Sequence, residues 1–361
     1  MTKIHVIIPV YNAKKYLREA VDSVLNQPYK NIDIVLVNDG STDGSAELCD
    51  EIVKKEERVS VIHQTNTGVS AARNAGIEFV LNKGIEGAYL AFLDADDVWT
   101  SCFWNGNNIA LLEKGYSVVG FQSCRCNSLA SRRSMPKMMT PGVHLGGADN
   151  VWIHSHQTFG AMLYSARHLS NYTIRFFNGL KNNEDRIFTM QCLYLADEIY
   201  LENHLLYLYR NNSSSTSHQK RNAIDKYMPM IEAYMKSDKM MDQWKTERNG
   251  CLRQGHVMAA IYVIDMIEEY WQQFGKKKEI DKLLADRTDL LFVMNSPEVW
   301  RAQNTCNRWN KFVAHPRCLQ VQCYLRGLRK KFMYIAYTLL YKEKHIAAII
   351  DKKRYPVMIE K

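Results

Sequence analysis

The chain has 361 residues, of which 46% are hydrophobic and 24% charged, and its formal net charge of +9 suggests an anionic partner. No apolar stretch is long enough to cross a bilayer, and the opening MTKIHVIIPVYN lacks the small-residue cleavage site of a signal peptide. The nine cysteines are scattered and odd in number, which favours reduced thiols in a cytosolic protein and argues against a zinc site.

The first hundred residues alternate between short apolar runs, which predict buried strands, and amphipathic segments, which predict helices. The strand starts recur about every 28 residues, the size of one βαβ unit. We therefore predict an α/β open sheet, mostly parallel, with helices packed on it. In chain order the predicted elements are a strand at 4–10, a helix at 13–27, a strand at 32–39, a helix at 41–55, a strand at 59–64, a helix at 68–81 and a strand at 88–94.

The pattern becomes less regular beyond residue 100. Strand-like pieces at 116–123 and 198–210 surround a helical segment at 183–197, and the chain is helical in pattern from about residue 222. The polar stretch NNSSSTSH is the nearest feature to a domain boundary. The predicted regions are 1–100, 101–215 and 216–361.

Polar side chains gather where the predicted strands end. Pro9 and Tyr11 follow the first strand, Asp39 closes the second, and the run DADD, which contains Asp94 and Asp96, follows the fourth. Open α/β sheets bind ligands at this edge, and clustered carboxylates suit a hard divalent cation that bridges a diphosphate. Asp96 is the best candidate ligand, with Asp94 holding the metal or a ribose. A solvated turn is the alternative, because aspartates are common in turns.

The segment VNDGSTDGS resembles a phosphate loop only superficially. It is neither GxGxxG nor GxxxxGK[ST], which argues against a dinucleotide dehydrogenase and a P-loop ATPase. Asp39 can accept hydrogen bonds from a base N–H or from ribose hydroxyls, whereas residues 41–45 are expected to form a capped turn.

Three further segments carry candidate residues. Arg73 is expected to pair with the aspartates or with a phosphate, the alternative being a surface ion pair. Glu184 and Asp185 begin a helix, where the helix dipole favours acids, but a carboxylate there can also serve as general base for an acceptor hydroxyl. Arg210 and His218 flank a Ser-rich stretch that would suit a lid over a phosphate or metal.

Four motifs together resemble the family 2 glycosyltransferases with the GT-A fold, a Rossmann-like nucleotide-diphospho-sugar transferase architecture. The motifs are IIPVYNAKKYLREAVDSVLNQ, IVLVNDGSTDGS, NTGVSAARNAG and LAFLDADD, in this order and spacing. The resemblance is close over residues 1–100 and looser to about 215. It makes 1–100 the nucleotide-sugar-binding half, 101–215 the acceptor-binding half and 216–361 a helical C-terminal extension.

The resemblance implies an inverting transfer from a nucleotide-diphosphate sugar, usually a UDP-sugar, with Mn²⁺ or Mg²⁺ as cofactor. Asp94 and Asp96 match the DxD motif and would hold the metal. Asp185 matches the second acid of the ED pair, which serves as base, with Glu184 beside it. The nucleotide-sugar-binding residues that it implies are Pro9, Tyr11, Asp39, Arg73, Asp94, Ala95 and Asp96.

The segment 317–359 mixes apolar, aromatic and basic residues. It suits either an amphipathic helix on an anionic membrane or a helix packed on the protein itself. We expect a cytoplasmic enzyme, peripheral on the membrane, that extends a lipid-linked capsule, lipopolysaccharide or related glycan, with no nucleic-acid partner. Two other classes stay open: a nucleotidyltransferase, whose usual Gly-rich, lysine-containing loop is missing here, and a non-catalytic nucleotide-sugar-binding scaffold.

Overall fold

The computed structural model describes residues 2–101, 103–128, 131–134, 141–146, 159–180, 182–210 and 222–242, with short pieces between 258 and 290. The chain divides into two compact units, residues 1–218 and 219–361. The strands of the first unit are β1 (Ile4–Val10), β2 (Ile32–Asp39), β3 (Val59–Gln64), β4 (Tyr89–Phe92), β5 (Val98–Trp99), β6 (Val118–Ser128), β7 (Ser131–Ser134), β8 (Gly142–Leu145), β9 (Met162–Ser165) and β10 (Glu198–Arg210). Its helices are α1 (Lys14–Leu25), α2 (Ser45–Lys55), α3 (Val69–Leu81), α4 (Gly106–Leu112), α5 (Ala166–Asn171) and α6 (Glu184–Leu195), and the second unit contains α7 (Ala223–Asp242).

The strands form one sheet in the order β3-β2-β1-β4-β9-β6-β10-β5, with β7 added to β6 and β8 to β10. The first four strands of this order are parallel, as predicted. Beyond β4 the sheet is mixed, because β9 lies antiparallel to both β4 and β6 while β10 runs parallel to β6. The predicted α/β sheet is therefore confirmed, and its parallel part is the N-terminal half.

The predicted elements of the first hundred residues are confirmed, with shifts of a few residues at their ends. The apolar runs are strands because both faces are covered, so that nearly every side chain of β1 is buried. Helix α2 begins at Ser45 and not at residue 41, since Gly40 and Gly44 take left-handed φ angles of 68° and 88° and keep the intervening residues in a turn.

Close packing of α3 on the sheet fixes the position of its first turn. An added Cβ on Gly76 would lie 2.5 Å from a methyl carbon of Ile7 on β1, so only glycine permits this approach. Arg73, three residues earlier, is thereby held at the carboxyl edge of the sheet, where it contacts Asp94 just beyond β4.

The second unit is helical where the structure describes it, in agreement with its sequence pattern. Helix α7 contacts a later segment through Glu269, whose carboxylate accepts hydrogen bonds from Lys226 Nζ at 2.6 Å and Tyr227 Oη at 2.8 Å. His218 and the basic segment 317–359 lie outside the described residues. Within the described part of the chain, no helix is both long enough and apolar enough to cross a membrane.

Candidate functional site

The loops after β1 and β2 are joined by hydrogen bonds and form one side of the sheet edge. The backbone N–H of Asn12 donates to Ser41 Oγ at 3.1 Å, and that of Ala13 donates to Ser45 Oγ at 2.9 Å. The N–H of Lys14 donates to Asp43 Oδ2 at 3.1 Å. The side chains of residues 41, 43 and 45 therefore satisfy free amides at the start of α1. The N-cap of α2 is Gly44, which has no side-chain cap, so this turn caps chiefly α1 rather than the helix that it precedes.

An exposed aromatic ring stands at this edge. Tyr11 is 53% exposed, although large aromatic side chains are usually buried. Pro9, two residues before it on β1, is half-buried. A flat apolar ring beside a rigid backbone offers a surface on which a nucleobase can stack.

Asp39 is almost fully buried and its carboxylate is occupied by the start of α3. Its Oδ1 accepts hydrogen bonds from the backbone N–H of Thr67 at 2.9 Å and from Gln64 Nε2 at 2.8 Å. Its Oδ2 accepts one from the N–H of Gly68 at 2.9 Å. Asp39 therefore orders the loop between β3 and α3, and Oδ2, which accepts one hydrogen bond from the described residues, is the oxygen with acceptor capacity left for a ligand.

The DADD run forms a tight turn just beyond β4. The N–H of Asp97 donates to the carbonyl of Asp94 at 2.9 Å, which closes the turn. Asp94 and Asp96 are half-buried, whereas Ala95 and Asp97 are buried. The turn thus presents two of its three carboxylates to the edge of the sheet and points the third inward.

The inward acid, Asp97, is held by the end of β10. Its Oδ2 accepts from Tyr207 Oη at 2.5 Å and its Oδ1 from the backbone N–H of Arg210 at 2.7 Å. The Tyr207 hydroxyl also accepts from the N–H of Asp94 at 3.3 Å, and Arg210 Nε donates to the carbonyl of Asp96 at 2.8 Å. Burial raises the pKa of Asp97 to about 8, and the charges of Asp94 and Asp96 add to the effect.

Arg73 joins the DADD turn to the start of α6. Its Nη2 donates to Asp94 Oδ1 at 2.8 Å and its Nη1 to Glu184 Oε1 at 3.1 Å. The side chain is only 4% exposed, and its guanidinium carbon lies 4.9 Å from the ring centre of Phe159 and 5.3 Å from that of Phe176. The alternative of a surface ion pair is therefore wrong. Burial opposes the charge on Arg73, but the facing acids outweigh it and raise the pKa of the guanidinium.

Glu184 and Asp185 occupy the first turn of α6, where the dipole of the helix favours acids. Burial raises the pKa of Glu184, with Asp185 adding to the rise and Arg73 opposing it. Asp185 is half-buried, and its Oδ1 accepts from the N–H of Arg186 at 2.7 Å. The helix follows Asn183, which takes a left-handed φ of 61° and turns the chain sharply before the two acids.

The net charge of the residues around the DADD turn suits the binding of a divalent cation. Four partly accessible or half-buried acids, at 94, 96, 184 and 185, lie here with two guanidinium groups, those of Arg73 and Arg210, and Arg210 also pairs with Glu19, so negative charge is in excess. Mg²⁺ typically takes one or two carboxylates and completes its shell with water and substrate phosphates, so Asp94 and Asp96 are sufficient in number. Among the described residues, no group of three or more His, Cys, Asp or Glu side chains is arranged as a ready-made metal site.

The structure brings together some of the sequence-predicted residues and leaves others apart. Arg73, Asp94 and Glu184 are in direct contact, and Asp96 belongs to the same turn. Asp39 instead accepts hydrogen bonds from Thr67 and Gly68, just before α3. Arg210 is tied to the DADD turn and to Glu19 of α1 at 2.6 Å. Tyr207 was not a candidate, because its partners lie more than a hundred residues away and β10 shows only an apolar strand pattern.

Comparison with known sequences identifies a family and several relatives. Residues 5–178 match the family described as Glycosyl transferase family 2. Glycosyltransferase GlyA of Streptococcus pneumoniae serotype 4 is 50% identical over 95 residues, 26% of this chain and 13% of that protein. The uncharacterized glycosyltransferase EpsJ of Bacillus subtilis is 28% identical over 218 residues, 59% of this chain and 62% of that protein. The chain thus covers less than two thirds of either relative.

Comparison with solved structures gives the same fold. The crystal structure of S. aureus TarS 1-349 matches with a TM-score of 0.56 and 17% identity, covering 94% of this chain and 90% of that one. The same protein in complex with UDP-GlcNAc matches with a TM-score of 0.54 and 20% identity, covering 84% and 89%. At these identities the likeness shows the fold alone, a GT-A type α/β sheet with flanking helices.

Proposed function

The chain belongs to the family 2 glycosyltransferases through residues 5–178, and we propose that it transfers a sugar, with inversion, from a UDP-sugar to a hydroxyl of a cell-surface glycan. The observation that carries the proposal is the meeting of the DxD turn and the ED acid pair at one edge of the sheet, joined by Arg73. A solved relative of the same fold, TarS, has been crystallised with UDP-GlcNAc and with UDP, which supports the choice of donor class.

The donor would lie along the carboxyl edge of β1, β2 and β4. The ring of Tyr11, 53% exposed, offers a stacking surface for the base. Asp39, whose Oδ2 accepts a single hydrogen bond from the described residues, could accept one more from the base or ribose. Pro9 and Ala95 would contribute backbone and apolar surface on either side. The diphosphate would then point towards Asp94 and Asp96.

We propose Asp96 and Asp94 as the ligands of Mn²⁺ or Mg²⁺. When bound, such an ion stabilises the negative charge that develops on a departing diphosphate. The excess of acids over cations at the turn supports this assignment, because a cation would relieve the mutual repulsion of the carboxylates.

Asp185 is the proposed general base. Its carboxylate would take the proton of the acceptor hydroxyl while the hydroxyl oxygen forms a bond to the anomeric carbon of the donor. The bond from that carbon to the diphosphate oxygen breaks at the same time, and its electron pair leaves with UDP. A single carboxylate suffices for this displacement, which inverts the anomeric configuration. The proton on Asp185 then passes to water.

The acceptor side of the proposal is a lipid-linked bacterial glycan handled at the inner face of the membrane. The family assignment supports a glycan acceptor, and the basic, aromatic composition of residues 317–359 would suit contact with anionic lipid. Reversal of charge at Lys330 and Lys331 in the full chain should weaken sedimentation with anionic vesicles. Unchanged sedimentation would remove the membrane contact from this segment.

The experiment that tests the reaction is release of UDP from a panel of UDP-sugars by the full chain with Mn²⁺. We expect one or two sugars to give UDP release that depends on the metal and increases when bacterial lipid extract is added. Absence of UDP release across the panel, in a protein that also binds no nucleotide, would favour the scaffold alternative.

A further inference from the structure

We propose that Arg73 and Glu184 form a positioning pair that fixes the first turn of α6 against the DADD turn, and that Asp185 alone acts on the acceptor. This inference rests on the proposed function and makes its roles more specific. It moves Arg73 from the nucleotide contacts to the framework of the site, and it removes Glu184 from the possible bases.

Both terminal nitrogens of the Arg73 guanidinium are hydrogen-bonded to acids of the protein. One terminal nitrogen donates to Asp94 and the other to Glu184, at 2.8 and 3.1 Å. Phe159 and Phe176 cover it at 4.9 and 5.3 Å. Its Nε is buried without a hydrogen-bond partner among the described residues. A group so enclosed does not reach a base or phosphate without leaving these contacts.

Glu184 and Asp185 are adjacent in sequence but differ in what surrounds them. The side chain of Glu184 is 14% exposed and shares its Oε1 with Arg73. Asp185 is half-buried, and its carboxylate accepts a local hydrogen bond from the N–H of Arg186 at 2.7 Å. Successive residues in the first turn of a helix point in different directions, so one acid can bind the framework while the other faces the acceptor side.

The pair also connects the two halves of the first unit. Arg73 lies on α3, which packs on β1, whereas Glu184 begins α6, which lies in the chain between β9 and β10 of the mixed part of the sheet. The fork geometry of an arginine holds two carboxylates in a fixed relation, which a lysine ammonium does not. The relative position of donor-side Asp94 and base-side Asp185 is therefore set by this side chain.

The first test compares amide hydrogen exchange in Arg73→Met and Arg73→Lys with the unaltered full chain. We expect exchange at 184–190 and at 94–97 to accelerate at least tenfold in both variants, since both lose the fork. Arg175→Met is the matched control, because Arg175 pairs with Glu78 on the same helix α3 at 2.7 Å but does not contact the site. Unchanged exchange at 184–190 in both Arg73 variants would overturn the proposal.

The second test separates the two acids through UDP release and UDP binding. Glu184→Gln keeps an oxygen for Arg73 and should lower kcat about tenfold, with the KM for the donor and the Kd for UDP within threefold. Asp185→Asn should lower kcat by about 10²–10⁴-fold at an equally unchanged Kd. Equal losses in the two variants would overturn the assignment of roles.

The double variant Arg73→Lys with Glu184→Gln distinguishes a positioning pair from two independent contacts. If Arg73 acts through Glu184, the kcat of the double variant should be no lower than that of Arg73→Lys alone. A loss of UDP affinity beyond thirtyfold in Arg73→Lys, with kcat unchanged, would instead make Arg73 a nucleotide contact. If the unaltered protein neither binds UDP nor releases it, the proposed function fails, while the exchange result still decides the structural part.

Discussion

Asp39 and Asp94 close the two strands that flank β1, yet the protein holds their carboxylates in opposite ways. Asp39 is 3% exposed and accepts hydrogen bonds from two backbone amides and Gln64. Asp94 is 37% exposed in its side chain and shares a single arginine with Glu184. A carboxylate that accepts several hydrogen bonds from nearby donors is stable without a ligand, whereas acids that outnumber the neighbouring cations are stable only with an additional positive charge or with bound protons.

The two carboxylates therefore have different roles along the sheet edge. The corner at Asp39 fixes the shape of the loop before α3, where the base of a nucleotide would lie. The corner at Asp94 concentrates negative charge, where a cation and the diphosphate would lie. Burial is the main reason why the pKa of the neighbouring Asp97 rises to about 8, and the charges of Asp94 and Asp96 add to the rise.

The largest expected effect follows from removing Asp185, the proposed base, near the corner at Asp94. Asp185→Asn keeps the shape of the side chain but accepts no proton, and loss of general base catalysis typically costs about 10²–10⁴-fold in rate. We expect UDP release with acceptor to fall by that factor while calorimetric Kd values for UDP stay within threefold. Near-normal turnover with the true acceptor would exclude Asp185 as the base.

Asp96→Ala tests the proposed metal site at the corner at Asp94. The side chain is half-buried and its removal should leave the fold intact, because the turn is closed by backbone hydrogen bonds. We expect the gain in UDP affinity on adding Mn²⁺ to fall by at least tenfold, with the urea midpoint almost unchanged. A metal-dependent gain as large as in the unaltered protein would contradict the metal assignment.

Asp39→Asn should lower the free energy of unfolding, whereas Asp185→Asn and Asp96→Ala should leave it almost unchanged. The new amide group would place N–H donors against the N–H of Thr67 or Gly68, so a buried donor loses its partner, at a cost of about 1–3 kcal/mol. Urea unfolding measures this loss of unfolding free energy. A variant as stable as the unaltered chain would show that the corner at Asp39 is not the framework that its hydrogen bonds suggest.

His5 gives a smaller, pH-dependent effect in the strand that lies between the two corners. It is fully buried, and neither ring nitrogen has a hydrogen-bond partner among the described residues. Burial lowers its pKa to about 4 from 6.5. As the pH falls, His5 therefore takes up its proton in the unfolded chain first. The contribution of His5 to the free energy of unfolding is complete above pH 6.5 and is lost as the pH falls towards 4.

The variant His5→Leu should be less sensitive to acid than the unaltered chain. Between pH 7.5 and 5.5 the unaltered protein should lose roughly 1 kcal/mol more unfolding free energy than the variant. Urea unfolding at the two pH values measures the difference. Equal losses in the two proteins would show that His5 takes up its proton in the folded state as readily as in the unfolded one.

The features of the fold and site that depend on local residue pattern could be predicted from the sequence. The apolar runs give β1 to β4, and the residues that follow them give the positions of Asp39 and Asp94. The pairing of Arg73 with an aspartate follows from its place near the same edge. The order of the later strands could not be predicted, because β9 inserts between β4 and β6 through pairings that leave no periodic signal.

The contacts that complete the site lie between residues far apart in the chain. Arg73 and Glu184 are 111 positions apart, and Tyr207 and Asp97 are 110 apart. No spacing rule connects such pairs, and a tyrosine in an apolar strand carries no sign of a polar role. Only the packing of β10 beside the DADD turn reveals that Asp97 is a structural acid while Asp94 and Asp96 face the edge.

The most direct test is a calorimetric titration of UDP into the full chain with Mn²⁺, repeated with chelator and with GDP and TDP. We expect tight UDP binding that is lost on chelation. Preference for GDP or TDP would keep the glycosyltransferase assignment and change the donor. Absence of binding by any nucleotide, in a protein shown to be folded, would contradict the proposed donor site and leave the acidic corner without a function.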